Sequence, residues 1–476
     1  MTDFDYESHD ALGLAALVAA GDVTPTELLD AALERVAARN PRLNAVVLGM
    51  EDAARAAIEA GLPDGPLRGV PFLLKDLHLL IDGHPTTSGS RLFQDFVADH
   101  DSELVARYRR SGLVLFGRTT SPEFGLTTTT ESTLFGATRN PWNLDHTSGG
   151  SSGGASAAVA AGIVPAANAS DGGGSIRIPA SCAGLFGLKP TRGRTPMGPD
   201  AGEGWSGMSC VHAVTRSVRD SAALLDATAG PDVGAPYWAS EPARPFADEV
   251  GAPPGRLRIA VQTAAWNEAP VHADCVAALE DAANLCTELG HEVREAPFAV
   301  DPALLRDATG VIIGANLRAA VLDRAAALGR DFTPDDLEPL THLMVVAADE
   351  RSASEYASAV RKIHALGRQL GGFLEDWDVL LTPTMATPPL KIGDLSLAHP
   401  EPKAMLDGLT RTVGFTQLLN ATGHPAMSVP LAWNDAGLPV GLQFVGRYAD
   451  EATLFRLAAQ LEEARPWFER RPPPLE

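Results

Sequence analysis

Lysine is scarce in this chain. Of 38 basic residues only five are lysines (Lys75, Lys189, Lys362, Lys391 and Lys403), against 33 arginines. Arginine cannot lose its proton under working conditions and a desolvated lysine can, so a lysine set among apolar residues is a candidate base. Lys75 sits in such a place. Positive charge as a whole is also short, because 60 acidic residues leave a formal net charge of −22 over 476 residues. A surface of that sign repels phosphate, which argues against nucleic acid or an anionic membrane as a partner. The four cysteines, Cys182, Cys210, Cys275 and Cys286, show no CxxC pairing. Free, mostly buried thiols in a reducing compartment are expected. Long hydrophobic runs are missing too. The longest uncharged stretch, Thr147 to Ser170, consists mostly of Gly, Ser and Ala and is too weakly hydrophobic to span a bilayer. The opening Met1-Thr2-Asp3-Phe4-Asp5 lacks the basic and apolar regions of a signal peptide, so a cytoplasmic location is expected.

At 45% hydrophobic and 21% charged the composition is that of a globular chain with a large core. The first 60 residues read as helical. Thr24-Pro25-Thr26-Glu27 gives an N-cap, a proline at the first helical position and a capping-box glutamate, with a stop expected near Asn40-Pro41. A second helix runs from Asp52 to Gly61. Gly69 to Leu74 is a short apolar strand closed by Lys75-Asp76. A helix from Ser102, carrying Arg107, Tyr108 and Arg109, precedes a buried strand at Leu113 to Gly117. Between two Gly/Ser clusters, TSGGSSGG and SDGGGS, lie a small helix at Ala155 to Ala161 and a strand at Ile163 to Ala167. Strands at Leu257 to Gln262, Val379 to Thr384, Met427 to Leu431 and Gly441 to Val445 alternate with helices at Asp274 to Leu289 and Glu451 to Glu463. That is an α/β pattern, a large mixed sheet covered by helices. The span from Gly230 to Gly255 is the linker candidate, with strands on both sides able to join one sheet.

The Gly/Ser clusters fit several chemistries poorly. A P-loop needs Lys-Ser/Thr after its last glycine, which Gly150-Ser151-Ser152-Gly153-Gly154-Ala155 does not offer. Gly149 to Gly153 matches GxSxG, yet the strand that must precede a nucleophile elbow is replaced by the polar, proline-broken Arg139 to Asp145. No Ser-x-x-Lys pair and no HExxH occur, so neither a β-lactamase type nor a zinc hydrolase is indicated. His78, His84 and His146 lie near the motifs and read as loop residues.

Lys75, Ser151 and Ser175 remain, in three separated segments. The run GGSSGG, then DGGGSIRIPA ending a 24-residue interval from Ser151 to Ser175, then CAGLFGLKPT from Cys182, resembles the amidase signature family. GVPFLLKDL around Lys75 resembles that family's lysine segment, and TRSVRD from Thr215 its following helix. The match is close over Leu67 to Asp220 and looser beyond. Within the family the chain most resembles bacterial members acting on small amides, nylon-oligomer hydrolases among them. The resemblance implies one continuous unit over residues 1–476: a helical segment 1–62, a catalytic core 67–220 and a pocket-forming portion 257–476 on the same sheet.

The resemblance further implies a Ser-cisSer-Lys triad without metal or cofactor, in which Ser175 attacks, Ser151 relays the proton and Lys75 is the base. The residue types suit the chemistry. A serine hydroxyl is a weak nucleophile until a base takes its proton, and a neutral lysine can do so if burial lowers its pKa from about 10.4 toward roughly 7 to 8. A second hydroxyl both donates and accepts, so it can pass a proton either way. The backbone N–H groups of Gly172, Gly173, Gly174 and Ser175 are implied as the oxyanion hole. Asp171 and Arg177 are assigned to holding that loop's shape, with Ser152 and Ser170 as further supports. Leu126, in a loop resembling the family's acyl pocket, points to an apolar acyl or aryl group. Thr127, Trp205, Met208, Tyr237, Trp238 and Ile313 are the other candidate pocket residues.

The implied partner is a small amide or carbamate, with the protein a monomer or homodimer. Three other readings stay open: a carbamate or ester hydrolase using the same triad, a glutaminase subunit of a tRNA-dependent amidotransferase, and a binding-only homologue. The −22 charge and the apolar Leu126 disfavour the amidotransferase subunit. A fluorophosphonate or sulfonyl fluoride adduct, mapped by peptide mass spectrometry, is expected on Ser175, and labelling of Ser151 instead would restore the elbow reading.

Overall fold

The computed structural model of the chain describes residues 5–475, so most of the acidic opening, residues 1–4, lies outside it. Eleven strands form one mixed sheet. From edge to edge the order is Val46–Gly49, Val114–Thr119, Pro71–Lys75, Ala166–Asp171, Cys210–Thr215, Phe186–Lys189, Ala426–Trp433, Pro439–Gly446, Val379–Pro383, Arg258–Val261 and Glu292–Glu295. Both faces are covered, as alternation along single strands shows. Ile259, Val379 and Leu381 pack with Cys275, Leu279 and Ala282 of the helix Ala273–Glu288. Their neighbours Ala260 and Leu380 face the other way, onto Leu305, Ile363 and Leu366 of the helices Pro302–Ala327 and Ala353–Asp376. Successive side chains of a strand point to opposite faces, so each strand feeds two cores.

The capping box forms as read, with Thr24 accepting from Glu27 N–H and Glu27 accepting from Thr24 N–H. The helix, Pro25–Leu43, runs past Asn40-Pro41. It ends where Asn44 turns left-handed at φ 54° and donates its N–H to Asn40 O at 2.8 Å. The first 60 residues are not all helix. Val46–Gly49 is an edge strand antiparallel to Val114–Thr119, aligned by the Asn40 side chain, which bonds Ala45 N, Val46 N and Val46 O at 2.8 Å each. A four-residue apolar run cannot be told from a helical one by periodicity. The strand expected at Ile163 to Ala167 lies later, at Ala166–Asp171, and so carries Ser170 and Asp171 on its end.

The linker candidate joins two strands of the same sheet, Cys210–Thr215 and Arg258–Val261. Its start is held by Arg107, whose guanidinium donates to the carbonyls of Thr228, Ala229, Gly230 and Pro231 at 2.6 to 2.9 Å. The four cysteines are free and buried. Among the described residues no helix is long and apolar enough to cross a membrane. Two strands position the candidate catalytic groups. Pro71–Lys75 is parallel to Ala166–Asp171 and adjacent to it, so their carboxyl ends, Lys75 and Ser170-Asp171, reach the same edge of the sheet. That is where open α/β sheets place their sites.

Candidate active site

Lys75 is the last residue of a strand buried at every position, Pro71–Lys75. Its side chain is 0% exposed. Nζ donates to Ser151 Oγ at 2.7 Å and to Ser170 Oγ at 3.1 Å. Burial lowers its pKa to about 7, outweighing the Asp171 carboxylate, which acts the other way. Desolvation penalises the charged form, so the amine gives up its proton more readily than an exposed lysine does. Ser170 is therefore a direct partner of Lys75 rather than a remote support. His78, three residues on, is open to solvent.

Ser151 follows a cis Gly150–Ser151 peptide bond. Gly150 has to be glycine, because a Cβ there would stand 2.4 Å from Thr129 O. The loop is fixed by threonines that the sequence does not single out. Thr130 Oγ1 donates to Gly149 O at 2.9 Å and accepts from Gly153 N–H at 3.1 Å, while Thr128 and Thr412 share a hydrogen bond of 2.7 Å. Ser152 Oγ accepts from Ser170 N–H at 3.3 Å and donates to Ser170 O at 3.2 Å. It ties the serine loop to the strand that flanks Lys75. Asn168, also unmarked by any motif, accepts from Lys75 N–H at 3.3 Å and donates to Tyr108 OH and His212 O.

Ser175 lies between the bend Gly172–Gly174 and the helix Arg177–Ala183. At 8% exposure it is the least covered of the three residues, and its hydroxyl bonds to none of the described residues. The bend is shaped by Asp171. Its carboxylate accepts from Gly174 N–H at 2.7 Å, Ile176 N–H at 3.1 Å and both Nε and Nη2 of Arg177 at 2.9 Å. Arg177 also reaches Thr416 O, Gln443 Oε1 and Asn420 Oδ1 at 2.6 to 3.0 Å, and Asn420 donates back to Asp171. Both ions are 0% exposed. Burial pushes the Asp171 carboxyl up, but the Arg177 charge and the hydrogen bonds outweigh it and hold it well below the usual carboxylate range.

The Gly174 N–H donates to Asp171 Oδ1. The N–H groups of Gly172, Gly173 and Ser175 donate to none of the described residues. Gly174 instead supplies the geometry, with φ 134°, a conformation closed to other residues.

The pocket candidates separate. Trp205 lies against the bend, since a Cβ on Gly172 would meet its ring at 2.7 Å. Met208, buried, and Ile313, half-buried, pack in the same cluster as Trp205. Leu126 is half-buried between two small apolar clusters, one containing Phe124 and one containing Leu395 and Met405. Thr127 is buried, its hydroxyl without a partner among the described residues. Tyr237 and Trp238 are exposed and lie beside Gly193, with the Tyr237 hydroxyl against Gly207 and bonded to Glu203.

Comparison with known proteins finds relatives over nearly the whole chain. A model of the amidase family matches residues 27–455. The 6-aminohexanoate-cyclic-dimer hydrolase of Paenarthrobacter ureafaciens is 39% identical over 477 aligned residues, covering 98% of this chain and 96% of that enzyme. A solved structure of 6-aminohexanoate cyclic dimer hydrolase superposes with a TM-score of 0.93 at 37% identity, covering 99% of each chain. A bacterial aryl acylamidase superposes at 0.87 with 29% identity over 96% of each chain.

The buried Asp171–Arg177 pair yields a stability test. Arg177→Met keeps the volume but strands a buried carboxylate, and urea unfolding should show a loss of about 3 to 5 kcal/mol. A loss under about 1 kcal/mol would mean the pair does not hold the bend. In the unaltered protein the contribution of Asp171 is full above the unfolded carboxylate value of about 3.9 and is lost as pH falls through the lower folded value.

Proposed function

Because the chain belongs to the amidase family and is a hydrolase acting on C–N bonds, we propose that it cleaves small amides through an acyl-enzyme on Ser175. Residues 1–476 act as one catalytic unit in this reading. The observation that carries it is the fully buried Lys75 amine, 2.7 Å from Ser151 Oγ with a pKa near 7.

Lys75 in its neutral form takes the Ser151 proton as Ser151 takes the proton of Ser175. The freed Ser175 oxygen then attacks the amide carbonyl. The developing oxyanion is met by the N–H groups of Gly172, Gly173 and Ser175, preorganised donors of the kind whose loss costs about 3 to 4 kcal/mol each. As the tetrahedral intermediate collapses, Ser151 returns a proton to the leaving nitrogen and Lys75 replenishes it. Water, activated by the same chain, hydrolyses the ester on Ser175 and restores all three groups. The Ser151-to-Ser175 hydrogen bond forms when substrate closes the site, since catalytic contacts in empty sites are commonly longer than in the reacting complex. The half-buried Leu126 between apolar clusters supports an apolar acyl or aryl group. The similarity to a hydrolase of 6-aminohexanoate cyclic dimer supports short aliphatic amides as the first compounds to try.

With a p-nitroanilide, kcat/KM should rise as pH rises through about 7, because the base must be neutral. Lys75→Ala should lower kcat by roughly 10²- to 10⁴-fold, and Lys75→Arg should do the same because a guanidinium keeps its proton. Near-normal turnover by either folded variant would remove Lys75 as the base.

A further inference from the structure

The loop that enters the strand Cys210–Thr215 holds a conformation its residues disfavour. Trp205 and Ser206 sit at φ 52° and 53°, followed by Gly207 at 76°. A left-handed backbone presses a Cβ against the following carbonyl, so two successive residues with side chains stay there only where contacts from outside the loop hold them.

Three such contacts are present. Arg192 Nε donates to Gly207 O at 2.7 Å, and Asn420 Nδ2 donates to Met208 O at 3.0 Å. The third comes from the far helices. Ser206, buried, shares a hydrogen bond of 2.6 Å with the hydroxyl of Tyr356, in the first turn of the helix Ala353–Asp376. Asn316 of the helix Pro302–Ala327 donates to the same Tyr356 hydroxyl at 3.4 Å. The Tyr356 ring packs on the apolar cluster that contains Ile312, Ile363 and Leu366, which fixes where its hydroxyl points.

The residue held in this way bears on the site. A Cβ on Gly172 would meet Trp205 Cζ3 at 2.7 Å and Cε3 at 2.8 Å, so the indole closes the space beside the Gly172 Cα. Gly172 N–H belongs to the same peptide unit as Asp171 C=O, and in a planar trans unit the two point in opposite directions. Asn420 Nδ2 donates to that carbonyl at 2.9 Å while also donating to Met208 O. The carbonyl bond and the indole together set the direction of the Gly172 N–H.

We propose that Tyr356 is a positioning residue: through Ser206 it keeps Trp205 seated on Gly172 and so holds the Gly172 N–H aligned for the oxyanion. This role rests on the acyl-enzyme reading above, in which that N–H donates. Without the Tyr356 hydroxyl, Ser206 Oγ loses its hydrogen bond and the loop relaxes out of its left-handed turn, carrying the indole off the bend. An interaction made only as the oxyanion develops is felt in kcat and not in KM.

Steady-state kinetics of the full chain with a p-nitroanilide test the role. Tyr356→Phe removes one oxygen, keeps the packed ring, and should lower kcat by about 10- to 100-fold with KM within about twofold of wild type. Ser206→Ala should act alike. The double variant should lose no more than either single one, because both remove the same hydrogen bond. A merely structural contact would lower the thermal midpoint and leave the kcat of the folded enzyme alone. A kcat within about twofold of wild type in either variant, or a loss carried by KM alone, overturns the role. A wild-type fluorophosphonate adduct on a serine other than Ser175 removes the acyl-enzyme reading itself, and the role with it. With the adduct on Ser175, an unchanged kcat counts against Tyr356 alone.

Discussion

Taking a lysine ammonium out of water is the constraint on which this site depends. Lys75 ends a strand with no exposed residue, and its nitrogen meets only two serine hydroxyls among the described residues. Hydroxyls can accept from an ammonium or donate to an amine, so they leave either protonation state satisfied. A carboxylate in their place would lock the proton on. Asp171, whose charge favours the ammonium, is drawn to Arg177 by paired hydrogen bonds at 2.9 Å, and burial outweighs its effect on Lys75. A buried ion pair thus keeps its own charge occupied beside the proposed base.

The same pair shapes the bend beside Ser175. Asp171 gathers the N–H of Gly174 and leaves those of Gly172, Gly173 and Ser175 without acceptors among the described residues. Arg177, through Thr416, Asn420 and Gln443, anchors the bend to segments far along the chain. Backbone donors fixed in this way do not need to reorganise as negative charge develops, which is how such sites lower a barrier. Parallel pairing of Pro71–Lys75 with Ala166–Asp171 brings Lys75 and this frame to one sheet edge.

How much of the fold and site is legible in the sequence depends on distance along the chain. Lys75, Ser151, Asp171, Ser175 and Arg177 sit in short motifs where glycine, serine and charge have few other uses, and the α/β alternation is readable from apolar runs. Thr130, Asn168 and Asn420 are not legible, because each works by satisfying backbone or side-chain groups in remote segments, and an isolated polar residue carries no local mark of that. The engagement of the Gly174 N–H is hidden for the same reason: a row of glycines does not reveal which amide a carboxylate will capture. Val46–Gly49 is concealed in a helical context by its brevity. The long helices Pro302–Ala327 and Ala353–Asp376 carry glycines within mixed apolar stretches, and their register is set by packing on one another and on the sheet, so neither announces itself in the sequence.

The scarcity of lysine makes the central claim directly measurable. With only five lysines in the chain, labelling their Cε carbons with ¹³C gives a spectrum sparse enough to follow each by pH, and Lys75→Arg identifies the resonance. A titration midpoint near 7 for Lys75 is the predicted result. A midpoint near the ordinary lysine value of about 10.4 would mean the amine is charged at working pH, and the account of Lys75 as a base would be wrong.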